Sequence, residues 1–148
     1  MFTSDSPKRR DIQAGDAIRG EWGLSVKLSE QQSNWLDAGI EHFNAGRFWH
    51  AHEDWEYLWK SLKGNANQEL IDGVQGIIQV AAMLLNHERK KVRGVTNLWI
   101  KSSAKLKPVI VGLFGIDIAS LYADSEPFHR DVEDFLLDAS IVQIKQQS

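Results

Sequence analysis

Apolar positions recur at helical spacing from residue 29 onward, and nowhere do apolar and polar residues alternate with the period of two that a half-buried strand requires. Ser29 with Gln32 three residues later makes a capping box. Trp35, Leu36, Ile40 and Phe43 then share one stripe, which predicts a first helix ending near Asn44 to Gly46. A second helix is predicted from about Arg47 to Leu62, stopping at the turn "KGNAN", residues 63–67. The longest periodic segment, "NQELIDGVQGIIQVAAMLLNHERKK", places Leu70, Val74, Ile77, Ile78, Ala81, Leu84 and Leu85 on one broad arc, the signature of a central core helix. Val95, Leu98, Trp99, Ser102 and Leu106 form a fourth stripe. Pro108 ends it, because proline lacks an amide donor and crowds the preceding turn. Asp117 is a natural N-cap for a short helix through Leu121 and Tyr122. Asp124 or Ser125 would cap a last helix carrying Phe128, Val132, Phe135, Leu136 and Ile141.

Short connections between consecutive helices favour antiparallel neighbours, so the expected fold is all-α, a compact bundle of about five or six mostly antiparallel helices. The first two, joined at "NAGR", have the look of a repeat-type helical hairpin. The bundle is expected to occupy residues 29–145 as a single domain. Residues 1–28, with scattered Gly, Pro and charge, read as an N-terminal extension ordered at most around Ile18, Trp22 and Leu24.

Composition narrows the chemistry. The 148 residues contain no cysteine, which removes disulfides, thiolate zinc sites and cysteine nucleophiles and leaves His, Asp and Glu as the strong metal ligands. Seventeen basic residues against twenty acidic ones give no bulk charge that points to nucleic acid. The start, "MFTSDSPKRRD", lacks the apolar core of a secretory signal, and the apolar run from Ile77 to Leu85 is far short of the ~20 residues that cross a bilayer, so a cytoplasmic protein without a membrane segment is expected. Charge is nonetheless segregated. Arg89 to Lys107 holds seven basic residues and no acidic one, whereas Asp117 to Asp138 holds seven acidic residues and one arginine. These two runs are expected to answer each other or to meet an anionic ligand or a protein partner.

"HAHEDWEYLW", His50 to Trp59, concentrates the reactive side chains. At 100° per residue, Phe48, His52, Trp55 and Trp59 share a stripe with Glu56 at its margin. Asp54, Tyr57 and His50 fall opposite, toward water. His52 and Glu56, four residues apart, can bond each other or face one ion, and a carboxylate beside an aromatic wall is costly unless paired. The pair therefore reads either as a satisfied packing contact or as part of a site. On the third helix Asp72, Gln75, Gln79 and Asn86 line one stripe opposite the apolar arc, with His87 at its edge. Gly73 and Gly76 suggest close approach of another helix there, the second helix being the candidate. In that case His52, Glu56, Gln79, Asn86 and His87 gather in one polar pocket. Two imidazoles and a carboxylate, His52, His87 and Glu56, would suit zinc or a non-haem iron. The stretch is not the zincin pattern, since position 56 is glutamate and not histidine, and no nucleophile stands out for acyl transfer.

"FNAGRFWHAHEDWEYLW", Phe43 to Trp59, resembles the signature of the prokaryotic domain-of-unknown-function family 309, a histidine, a glutamate four residues on and a tryptophan three further, here His52, Glu56 and Trp59. "QGIIQVAAMLLNH" is similar to its second block, with Gln75, Gly76, Gln79, Ala81 and His87 corresponding, and "GID" with Leu121 is similar to its closing segment. The resemblance spans roughly Trp35 to Leu136. Lys60 stands where the family tends to place a small residue, and of the glycine features after the second block only Gly94 survives. The resemblance implies a compact helical bundle with a polar centre and no particular reaction.

Two functions of different class follow. One is a His/Glu/Gln pocket that binds a metal ion or a small polar ligand through His52, Glu56, Trp59, Gln75, Gln79 and His87. In a catalytic version Glu56 would be the general base and His52 the acid or ligand. The other is a non-catalytic interaction module whose polar network only secures packing, and whose aromatic or basic surface binds another protein.

Overall fold

The computed structural model describes residues 27–64 and 67–147. Five helices follow in order: α1 (Glu30–Asn44), α2 (Phe48–Leu62), α3 (Gln68–Glu88), α4 (Val92–Leu106) and α5 (Ile118–Arg130), with single 3-10 turns at Lys107–Val109 and Ala139–Ile141. The α1 start is the capping box: Ser29 Oγ accepts from the Gln32 amide at 3.1 Å while Gln32 Oε1 accepts from the Ser29 amide at 2.9 Å. Asn67 caps α3 through the Glu69 amide, and Asp117 caps α5 through the Ser120 amide. The all-α bundle expected from the periodicity is what forms, and among the described residues no helix is long and apolar enough to cross a membrane.

Helix α3 is the centre, packing on α2 along one side and on α4 along the other, while α1 packs on α2. No residue from Leu70 to His87 is fully exposed. The core runs through Leu36, Phe43, Phe48, Trp55, Ile77, Met83, Leu84 and Leu106, all fully buried. Trp55 joins α2 to α1: its indole donates to the Leu36 carbonyl at 3.2 Å and lies directly against Gly39, where any side chain would occupy the ring's space. Leu28, the last position of the expected extension, is itself buried in the core; Ile18, Trp22 and Leu24 lie outside the described residues.

Three expectations change. The two short helices expected after Gly115 are one, α5, which continues through Pro127 and ends at Arg130. The remainder of the expected last helix does not form: residues 131–138 are irregular, Phe135 takes a left-handed φ of 51°, and Leu136 and Ile141 are exposed instead of buried. The reason is the Asp131 carboxylate, which accepts from the amides of Leu136 at 3.0 Å and Leu137 at 2.8 Å, curling the chain into a loop in place of a helical turn. Third, Gly73 and Gly76 meet Val109, Leu113, Leu106 and Lys105, so the close approach they permit is to α4 and the turn after it, and not to α2.

The chain then returns across the base of the bundle, burying Val142 and Ile144. The side chain of Asn44, at the end of α1, donates to the Ile144 carbonyl at 3.0 Å and accepts its amide at 2.6 Å, and an isolated bridge pairs Ile116 with Gln146.

Candidate functional site

Helix α2 buries Phe48, Ala51, Trp55, Leu58 and Leu62, a stripe whose centre lies about 50° away from one drawn through the aromatic residues alone. His52 is consequently at the flank of the buried face and not at its middle, with a side chain 23% exposed, and Glu56 lies further out at 41%. Helix α1 covers the opposite flank: Trp35 stacks on Tyr57 with centroids 5.7 Å apart, Gln32 bonds Ser61, and His42 faces Asp54. The flank of His52 and Trp59 is therefore the one turned toward α3, the other helix on which α2 packs.

His52 Nε2 lies 3.8 Å from Glu56 Oε2, too long for a hydrogen bond, and the two attract as charges only when the imidazole is protonated. Its Nδ1 is buried with no hydrogen-bond partner among the described residues. Trp49 lies parallel to the imidazole, 7° between planes and 5.1 Å between centroids, and covers one face of it. Two turns further along α2, the Trp59 indole nitrogen is likewise buried and unpartnered, with Lys63 Nζ 4.1 Å above the ring. Gln75 and Gln79 lie on α3, the helix on which α2 packs. Gln75 and Gln79 are half-buried, and Gln79 Oε1 is a third buried polar atom without a partner. The amide stripe of α3 is thus not a solvated face.

Asn86 and His87, two turns beyond Gln79, are engaged elsewhere. Asn86 donates to the Ala82 carbonyl and its amide lies against Gly94 of α4. His87, 3% exposed, holds Asp131 Oδ2 at 2.8 Å through Nε2 and sits edge-on between the rings of Phe128 and Phe135 at 5.0 and 5.2 Å. The structure brings His52 together with Glu56 and does not bring His87 to them. Among the described residues no three His, Asp or Glu side chains are placed to hold a metal ion. The Asp131 carboxyl is held below the usual carboxylate range, first by the Leu137 amide, then by that of Leu136 and by His87.

A second polar group lies near the α1–α2 turn; periodicity puts His50 and Asp54 toward water, and His50 is exposed as expected while Asp54 is half-buried. Arg47 Nε donates to His42 Nδ1 at 2.9 Å, which leaves the His42 proton on Nε2, 3.6 Å from Asp54 Oδ2. His50 lies 5.2 Å from His42, ring to ring. Burial against α1 pushes the Asp54 carboxyl up, more than the neighbouring imidazoles pull it down. The signal that could have found it is the hairpin itself, since a short turn after His42 must fold α1 back onto the Asp54 flank.

No curated protein and no solved structure matches the chain significantly. The model of one family does match, over residues 36–98, a span that runs from Leu36 in α1 to Leu98 in α4 and contains His52, Glu56, Trp59, Gln75, Gln79 and His87, but stops short of the Gly115–Asp117 segment. The part of the chain that carries the candidate site is thus similar to the family described as domain of unknown function (DUF309).

Proposed function

We propose that the α2–α3 flank binds a small polar molecule through His52, Trp59 and Gln79, with Glu56 and Gln75 at its rim. The observation that carries this reading is that His52 Nδ1, Trp59 Nε1 and Gln79 Oε1 are all buried without a partner among the described residues. Burying such a group unpaired costs about 1–3 kcal/mol, and native chains tolerate few of them. Trp59 can only donate, Gln79 Oε1 can only accept, and His52 Nδ1 does either according to its tautomer. The complementary ligand therefore carries both an acceptor and a donor, as an amide, a urea or an amino acid does. Zinc or iron fits less well. His52 and Glu56 supply two ligands, and His87 is held by Asp131.

The test exploits the cost of the unpaired groups. Gln79→Leu, which removes the polar atoms at nearly constant shape, should leave the protein as stable as before or raise it by about 1 kcal/mol, while abolishing the thermal shift produced by a ligand from a panel of small amides, ureas and amino acids. A Gln79→Leu variant destabilised by more than about 2 kcal/mol would make the glutamine structural and sink the proposal. Metal analysis of the purified protein runs beside it: stoichiometric zinc or iron that disappears in His52→Ala would replace the polar ligand with an ion.

A separate observation favours an interaction function in addition. Ile100 on α4 and Leu136 and Ile141 beyond α5 are 66%, 80% and 67% exposed, apolar side chains that a protein partner would cover.

A further inference from the structure

We propose that this chain associates head to tail with a second copy of itself, the outer face of α4 on one copy receiving the 131–141 loop of the next. The inference rests on the interaction reading and is independent of the α2–α3 pocket. Four α4 positions and the residue that follows the helix fall on one outward stripe at intervals of three and four residues, Arg93, Asn97, Ile100, Ala104 and then Lys107, and Lys101 flanks it. All six are exposed. The face is thus an isoleucine beside a small residue, with cations at both ends. The loop has the opposite composition. Leu136 and Leu137 project between Glu133 and Asp134 on one side and Asp138 on the other, with Ile141 beyond, and all of these are exposed.

Charge does not find its partner among the described residues. Among the described residues none of the seven basic side chains from Arg89 to Lys107 makes an ion pair, and neither do Glu133, Asp134 and Asp138. The basic and acidic runs that the sequence sets apart therefore do not answer each other intramolecularly. Ile100 lies between cations on one face and Leu136 and Leu137 lie between Asp134 and Asp138 on the other, the arrangement of an apolar interface centre with a polar rim.

The loop is also held in its exposed shape. Asp131 fixes the amides of Leu136 and Leu137, His87 fixes Asp131, and Phe135 takes the left-handed turn that points the chain outward. A leucine four-fifths in water on a floppy segment would mean little; on a loop this constrained, less ordering entropy remains to be lost on binding. The two faces are different surfaces, so the contact is heterologous and adds copies as an open chain unless the rotation closes a ring.

Sedimentation velocity on the full chain tests this. The wild type should form concentration-dependent species larger than a monomer, weakened as salt rises from about 0.05 to about 0.5 M because the rim is ionic. Ile100→Asp disables one face and Leu136→Asp the other; each alone should associate at least about tenfold more weakly. Mixed together the two variants should recover a species that stops at one of each, since one good face remains on each partner. Both positions are exposed, and circular dichroism checks that the variants stay folded. A wild type that is monomeric throughout overturns the proposal, and binding of that monomer to anionic lipid vesicles would assign the α4 lysines to a lipid surface instead. A mixture that fails to recover the complex, or a single variant that still dimerises fully, overturns the head-to-tail geometry.

Discussion

Replacing Gly39 with alanine should destabilise the protein by about 2–3 kcal/mol and lower its thermal midpoint by roughly 10 °C. In an open helix the same change would add about 1 kcal/mol of stability, because alanine is the better helix former. Here the new carbon would lie within 2.1 Å of Trp55 Nε1 and 2.4 Å of its Cδ1, distances that no pair of atoms tolerates. The indole cannot step aside, since it is fully buried and donates to the Leu36 carbonyl. Either the ring moves and loses that bond or α1 lifts off α2. Gly94→Ala is the control. Its new carbon would meet the Asn86 side-chain amide, which can rotate, so the change should cost less than about 1 kcal/mol. Thermal melts followed by circular dichroism decide it: a Gly39→Ala variant as stable as the parent would show that α1 and α2 are not in contact through Trp55.

His87→Ala should be as damaging, by about 3 kcal/mol. It opens a cavity between Phe128 and Phe135 and removes the partner that Asp131 holds at 2.8 Å. The loss should include the exposed loop, seen as faster amide exchange at Leu136 and Leu137. The pH dependence has a definite sign. Asp131 is held below its ordinary value in the folded chain, so its contribution is complete above the unfolded carboxylate pKa of about 3.9 and is lost as pH falls through that value and below. Asp117 and Asp138 are lowered in the same sense by hydrogen bonds from Ser120 and Ser140. In Asp131→Asn the acid-induced loss should be shallower than in the parent. An unchanged acid transition would mean that the carboxylate gains nothing from folding.

What could be seen in the sequence, and what could not, follows from the reach of the interactions. The capping box at Ser29 and Gln32 is local, and so were the limits of α1 to α4. The last predicted helix does not form because the Asp131 carboxylate takes the Leu136 and Leu137 amides while His87, forty-four residues before it, holds that carboxylate, and the periodicity of apolar positions carries neither contact. His52 and Glu56 stand out in the sequence, but a phase set by the large aromatic residues puts His52 at the centre of the buried face. Ala51, Leu58 and Leu62 turn the buried face toward α1, bringing Asp54 partly in and leaving Glu56 partly out. Gln79 was legible as a short amide where lysine or glutamate normally covers an exposed helix. The glycines beside it announced a close neighbour and left its identity open, because any helix satisfies a missing side chain. The opposed charge runs were visible at once, and only the absence of ion pairs among the described residues turned them outward.

The clasp between Asn44 and Ile144 sets an order of events in folding. Its two hydrogen bonds join positions one hundred residues apart. Chain entropy delays such a closure until shorter loops have formed, so the α1–α2 hairpin and the α3–α4 pair have to assemble first. The sealing of Val142 and Ile144 over the base is then a late step, made when the bundle already presents a surface to receive them. An intermediate that lacks it would carry a finished helical scaffold with an open apolar floor. Until it is sealed, that floor is a further apolar surface open to misassociation while the chain is still folding.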